Sequence, residues 1–128
     1  MVEKKELVYK GKGFCPICEC EVIFSATDTW FRDHLLCSAC GSIPRERALM
    51  RVIKECFPNY GELTIHESSP VARGASRKLQ QQCPNYSTSH HFEKIPFGQK
   101  DPHTGFRCES LESLTFEDNA FDLFVTQD

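Results

Sequence analysis

"FCPICECEVIFSATDTWFRDHLLCSACG", Phe14 to Gly41, holds five of the chain's eight cysteines, and their spacing decides how this part folds. Cys15-Pro-Ile-Cys18 and Cys37-Ser-Ala-Cys40 are two C-x2-C pairs whose separation fits the spacer of about 15 to 20 residues found in zinc sites. Each pair makes a turn whose thiolates converge, and zinc takes four such ligands in a tetrahedron with Zn–S near ~2.3 Å. Cys15, Cys18, Cys37 and Cys40 are therefore expected to hold one structural Zn2+. Pro16 stiffens the first turn, and Gly41 lets the chain leave the second at positive φ while its amide donates to a sulfur. Cys20, two residues past Cys18, is either a competing ligand or a free thiol, and the C-x2-C spacing favours Cys18. The apolar and β-forming residues of "EVIFSATDTWFRDHLL" predict a hairpin between the pairs, turning near "ATD", which makes the whole a zinc ribbon.

Two other uses of closely spaced cysteines are disfavoured. The N-terminal "MVEKKELVYKGKGF" has no apolar signal region, and no apolar run approaches the roughly 20 residues that cross a bilayer. A cytoplasmic chain with no membrane association is the expectation, and a reducing compartment disfavours disulfides. A thioredoxin-like redox pair would follow a strand and open a helix, a context missing at Cys15. The formal net charge of -3 and pI near 5.9 exclude the global basic excess of a phosphate-neutralising nucleic-acid binder. RNA remains open as a partner only through a local basic patch.

"GSIPRERALMRVIKECF" predicts a helix capped by Ser42, with Pro44 in its first turn and Pro58 beyond its end. Ala48, Leu49, Val52, Ile53, Cys56 and Phe57 form its apolar face, and Arg45, Arg47, Arg51 and Lys54 its solvated sides. After "PNYG" the pattern changes. "ELTIHESSP" predicts a strand over Leu63–His66, followed by a helix capped by Ser69 with Pro70 in its first turn. "NYSTSHHF" predicts a second strand, and "FDLFVT" a buried one over Phe121–Thr126. The order strand, helix, strand, strand is that of the opening half of a doubly wound α/β sheet, whose ligands bind beyond the carboxyl ends of the strands. Those ends are Glu67 to Ser69, Ser89 to His91, and Asp128. His90 and His91 point to opposite faces of a strand and cannot chelate together. "FGQKDPHTGF" is a lid or a plain connection, and Cys83 and Cys108 read as small packed residues.

From Leu63 onward the chain resembles the N-terminal half of class I S-adenosylmethionine-dependent methyltransferases. The clearest likeness is "LESLTFEDNAFDLFVTQD", similar to the family stretch in which an acidic loop precedes L-P-F, D-x-x-F-D and an apolar strand. The resemblance implies that Ser110 and Leu111 hold the adenine ring of S-adenosylmethionine. The family's acid is missing at Ser110, and Glu109 is the neighbour that would substitute. It further implies that Glu67, Ser68 and Ser69 meet the cofactor after the first strand, where Ser69 and Val71 occupy the first two glycine positions. The C-x2-C pairs followed by "CGSIPRER" also resemble the zinc-binding head before some bacterial methyltransferase domains, including ones acting on ribosomal RNA.

The expected architecture is an α/β chain: residues 1–58 a zinc-ribbon-like head with a docking helix, and residues 59–128 the N-terminal half of a Rossmann-like methyltransferase domain. The family's catalytic residues lie after the fourth strand, so none is assigned, and the methyl acceptor is unnamed. The sequence stops where more strands are expected. Alone, the chain is expected to bind the cofactor weakly and not to turn over methyl groups, and its last strand offers an edge for self-association. The alternative is a non-enzymatic zinc-ribbon adaptor that binds protein or nucleic acid.

Overall fold

The computed structural model describes residues 6–127. They form a mixed α/β structure with one antiparallel and one four-stranded parallel sheet. Contacts divide the chain into two units, one of Met1–Pro58 with Arg73–Lys78, the other of Asn59–Ala72 with Leu79–Asp128.

In the first unit, β1 (Tyr9–Cys15), β2 (Cys20–Ala26) and β3 (Leu36–Cys37) form an antiparallel sheet in that order. The principal hairpin is thus β1–β2, closed by the first cysteine pair, with Cys15 opposite Cys20. The expected hairpin between the pairs is reduced to Phe24↔Cys37 and Ser25↔Leu36, because the short helix α1 (Phe31–His34) occupies the connection. β1 was hidden from sequence patterning, since "YKGKGFC" carries glycine at two of its positions. Aromatic rings fill both gaps: a Cβ at Gly11 would meet Tyr9 Oη at 2.5 Å, and one at Gly13 would meet Phe24 Cε2 at 2.6 Å, the device by which rings cover strand glycines.

Helix α2 (Pro44–Cys56) begins with proline at its first position, as the sequence predicts, but Ile43 is the residue before it and Ser42 makes no cap. The Ile43 amide donates instead to Glu46 Oε1 at 2.9 Å. The buried face is also different. Glu46, Arg47, Met50 and Ile53 are buried, whereas Ala48, Val52 and Cys56 are exposed. Periodicity placed the apolar stripe about a quarter-turn away, because two charged residues with internal partners hold core positions.

In the second unit, β4 (Ile65–Ser68), β5 (Tyr86–His90), β6 (Arg107–Cys108) and β7 (Leu123–Thr126) are ordered β6-β5-β4-β7. All three pairings are parallel. β4 therefore lies inside the sheet, and β7 is an edge strand among the described residues. β4 runs two residues later than predicted, so Glu67 and Ser68 are in the strand. Ser69 follows at φ 54°, and α3 (Gly74–Gln82) starts only at Gly74, so Ser69 does not cap it and Pro70 is in the loop. β6 is two residues long, too short for any periodic signal. β7 is shorter than predicted, and only Val125 in it is buried. Ile65, Leu79, Cys83, Cys108 and Val125 are the buried apolar side chains of this unit. His66, 1% exposed, lies among the rings of Phe116, Phe121 and Phe124, its nitrogens each 2.8 Å from a hydroxyl, Ser87 and Ser89.

Candidate functional site

The four cysteines of the two C-x2-C pairs converge. Cys15 Sγ lies 3.9 Å from Cys40 Sγ, Cys18 Sγ lies 3.8 Å from Cys37 Sγ, and all four sulfurs are within 4.8 Å of one another. A tetrahedron with Zn–S of ~2.3 Å has edges of about 3.8 Å. The cluster could therefore hold one metal ion such as zinc, with no thiolate displaced. Cys20 is exposed and outside the cluster. His34 is also outside it, its Nδ1 2.7 Å from Asp28 Oδ1.

The backbone shows why these four meet. Each pair forms the same turn: the Glu19 amide returns to the Cys15 carbonyl at 2.7 Å and the Gly41 amide to the Cys37 carbonyl at 2.9 Å. Glu19 and Gly41 are both left-handed, at φ 59° and 69°. Gly41 thus has the predicted positive φ, but its amide does not reach a sulfur. Amides that do include Cys18 N to Cys15 Sγ and Ala39 N to Cys37 Sγ, each 3.4 Å. Ser42 Oγ is 3.1 Å from Cys40 Sγ and can donate to it as thiolate.

Three of the thiols are shifted unevenly by their surroundings. Burial, then the neighbouring thiols, pushes the Cys18 thiol up, and burial likewise raises Cys37. Burial opposes ionisation at Cys40 too, but Ser42's hydroxyl and amide, together with the Cys18 and Cys37 thiols, outweigh it and leave that thiol below its ordinary value. A bound Zn2+ would remove the protons outright.

Three cations surround this turn pair, which the sequence alone placed on solvated helix faces or did not single out. The Arg47 guanidinium is buried; it donates to the carbonyls of Ser42 and of Leu35, the latter at 2.8 Å. It also lies 4.5 Å above the centre of the Phe24 ring. Burial lowers its pKa, opposed by the charges of Cys15, Cys37 and Cys40. Lys54 Nζ donates to the Pro16 carbonyl at 2.7 Å, and Lys78 Nζ to the Ile17 carbonyl at 2.8 Å. Both lysines also pair with Glu19, which holds that carboxylate below its ordinary pKa. Two lysines thus clamp the first turn, while a tetrathiolate zinc, with a net charge of minus two, would meet compensating positive charge. Lys78 comes from 61 residues downstream of Ile17, a separation that local pattern reading does not reach.

In the second unit, the carboxyl ends of the strands carry the other expected residues. Glu67 is fully buried. Its carboxylate accepts from the Tyr86 hydroxyl at 2.7 Å and from Gln127 Nε2 at 2.9 Å, which ties together β4, β5 and the residue after β7. Burial and this bond raise the Tyr86 pKa. Ser68 ends β4, and the Ser69 amide donates to the Ser89 carbonyl at 2.8 Å. Ser110 and Leu111 lie just past β6. Ser110 Oγ accepts from the Glu112 amide at 3.3 Å, and Leu111 is 54% exposed. Glu109 is not an open acid: it is buried and bonded to Arg107 and Thr115. Asp128 lies outside the described residues.

No family model, curated protein or solved structure matches the chain. Among the described residues, no helix is long and apolar enough to cross a membrane. His90, the remaining eye-catching residue, packs edge-on to Phe106 at 4.3 Å and lies outside any candidate metal group.

Proposed function

We propose that this chain carries the zinc-bearing, cofactor-binding part of an S-adenosylmethionine-dependent methyltransferase, with Zn2+ in a structural role at Cys15, Cys18, Cys37 and Cys40. The observation that carries the reading is the strand order β6-β5-β4-β7. It proceeds outward from β4 through β5 to β6, then reverses to β7 on the other side of β4. In open parallel sheets the ligand crevice opens at such a reversal, outside the carboxyl ends of the flanking strands. Here those ends are Ser68 and Ser69 after β4 and Thr126 and Gln127 after β7.

Ser69 supports the same reading from backbone conformation. It occupies the position where the resembled family places glycine, and it keeps the left-handed conformation that glycine provides, at φ 54°. Left-handed non-glycine residues cost about 1–3 kcal/mol and cluster at ligand sites. In this reading, Ser68 and Ser69 meet the methionine end of the cofactor, and Glu67 supplies the buried negative charge that attracts its ammonium. Ser110 and Leu111 receive the adenine ring. When bound, the cofactor supplies an activated methyl group. The chain's own residues contribute position, which can account for much of a methyl-transfer rate. The zinc site is too enclosed in thiolates for a catalytic open position and serves the fold.

One observation favours an adaptor as second reading: the first unit exposes Tyr9, Phe14, Trp30 and Leu36, with Phe14 62% exposed. The test is transfer of a labelled methyl group from S-adenosylmethionine by the zinc-loaded, full-length protein to components of a cell extract. Transfer that disappears on nuclease or protease treatment names the acceptor class. Absent transfer and absent cofactor binding in zinc-loaded protein favour the adaptor.

A further inference from the structure

The loop after β6 has more internal bonds than a simple connection needs. The Glu109 amide first extends the sheet, donating to the His90 carbonyl at 3.0 Å. Its side chain then folds over the next six residues. The Thr115 amide donates to Glu109 Oε1 at 2.8 Å, and the Thr115 hydroxyl lies 2.7 Å from Oε2. Arg107 Nε donates to the same carboxylate at 3.2 Å, and Arg107 Nη2 to Thr115 Oγ1 at 2.9 Å. Phe116 closes the group, with the Arg107 guanidinium 4.2 Å from its ring centre. Between the two ends of this staple, Ser110 and Ser113 form a bridge, with the Ser113 amide 3.1 Å from the Ser110 carbonyl.

The staple leaves the loop's own apolar side chains outside. Leu111 and Leu114 are 54% and 42% exposed, while the charged carboxylate at the loop's base is 4% exposed. A short loop that only joined two strands would gain nothing from burying a carboxylate, which costs free energy unless fully bonded. What the arrangement does is hold residues 110–114 in one shape at the carboxyl-terminal edge of the parallel sheet.

We infer that Glu109, with Arg107 and Thr115, is a positioning residue that presets the Ser110–Leu114 loop to receive the flat adenine ring of the ligand against Leu111, and does not itself touch that ligand. The inference rests on the cofactor reading above. Its physical advantage is preorganisation: a loop already fixed pays no ordering entropy when the ring arrives. It also corrects the natural expectation that the acid nearest Ser110 takes over a ligand contact, because both Glu109 oxygens accept bonds from within the loop and β6.

The test measures S-adenosylhomocysteine affinity by calorimetry on zinc-loaded, full-length protein. The set is wild type, Glu109→Gln, Thr115→Val, the double variant, and Thr115→Ser. Amide hydrogen exchange of residues 110–115 is followed in each. Glu109→Gln and Thr115→Val should each weaken binding about tenfold, the order expected for loss of a charge-assisted bond, and each should speed exchange in the loop. The double variant should be no weaker than the worse single one, because both remove one staple, and Thr115→Ser should restore affinity and protection. Wild-type affinity in Glu109→Gln, or additive losses in the double variant, would overturn the positioning role while leaving the cofactor reading intact. A wild type that does not bind S-adenosylhomocysteine would overturn the cofactor reading and this inference with it.

Discussion

The carboxylate of Glu46 occupies the space where a β-carbon on Gly74 would stand, with Oε2 2.8 Å from that position. Glu46 is fully buried; it caps α2 through the Ile43 amide and pairs with Arg73 at 3.1 Å. The same carboxylate lies at the first residue of α3, where the helix N-terminus favours negative charge. Gly74→Ala should therefore be costly twice over. The φ of 58° disfavours any side chain, and the new methyl group would displace a buried, bonded charge. A loss of roughly 2–4 kcal/mol is expected, read as a lower denaturant midpoint. Glu46→Gln, which keeps shape but not charge, should lose about 1 kcal/mol.

Ser69 is the converse case. Its φ of 54° is strained for serine, so Ser69→Gly should raise stability by up to about 1 kcal/mol, less the added chain entropy of glycine in the unfolded state. Thermal unfolding of zinc-loaded protein checks it. A loss of stability would mean that the Ser69 side chain, not the backbone, matters at this position.

Removing the metal should loosen more than the cysteine turns. Lys78 and Lys54 grip the carbonyls of Ile17 and Pro16, so a turn that opens on chelation releases residues 73–78 as well. Hydrogen exchange of α3 amides before and after chelator treatment should show lost protection over Gly74–Lys78. Cys37→Ser should do the same without chelator, with zinc content falling from one per chain towards none. Because each ligand thiolate must shed a proton, zinc affinity should fall as pH falls. Arg47→Met, which removes the cation and leaves the Leu35 and Ser42 carbonyls without it, should cost about 2–3 kcal/mol and speed zinc release to a competing chelator.

His66 gives the second unit its own pH dependence. Burial lowers its pKa from the ordinary 6.5, with Arg107 lowering it further and Glu109 opposing. The unfolded chain then binds a proton that the folded one refuses. Stability is full above about 6.5 and is lost as pH falls below it, until the folded histidine also protonates. Glu109, held low on balance by Thr115 and Arg107 against burial, adds a loss in the same direction at more acid pH. Urea midpoints at pH 7.5 and 5.5 should differ in wild type, and His66→Gln should shrink that difference.

The cysteine site was legible because its chemistry is written in spacing alone: four residues, two identical turns and a glycine. The parallel sheet was legible in its strand types and helix, less so in its boundaries. What escaped was set by partners distant in sequence. Arg47 reads as a solvated helix residue because nothing local shows that it lies over Phe24, within the field of Cys15, Cys37 and Cys40. β1 escaped because Tyr9 and Phe24 supply the surface its glycines lack. The buried face of α2 was misplaced because Glu46 takes a core position that only its bonds to Ile43 and Arg73 make tolerable. Glu109 reads from sequence as a stand-in ligand because Thr115, which bonds its carboxylate, follows six residues later across an irregular loop.

Binding of S-adenosylmethionine at the carboxyl-terminal edge of the parallel sheet, as proposed, can be read residue by residue through amide chemical-shift mapping. Isotope-labelled, zinc-loaded protein would be titrated with S-adenosylhomocysteine to millimolar concentration, so that weak binding is also seen. Binding there should give saturable shifts at Ser68 and Ser69, at Ser110 and Leu111, and at Thr126, with the cysteine turns unmoved. No saturable shift at any concentration, or shifts confined to the β1–β2 hairpin, would contradict it.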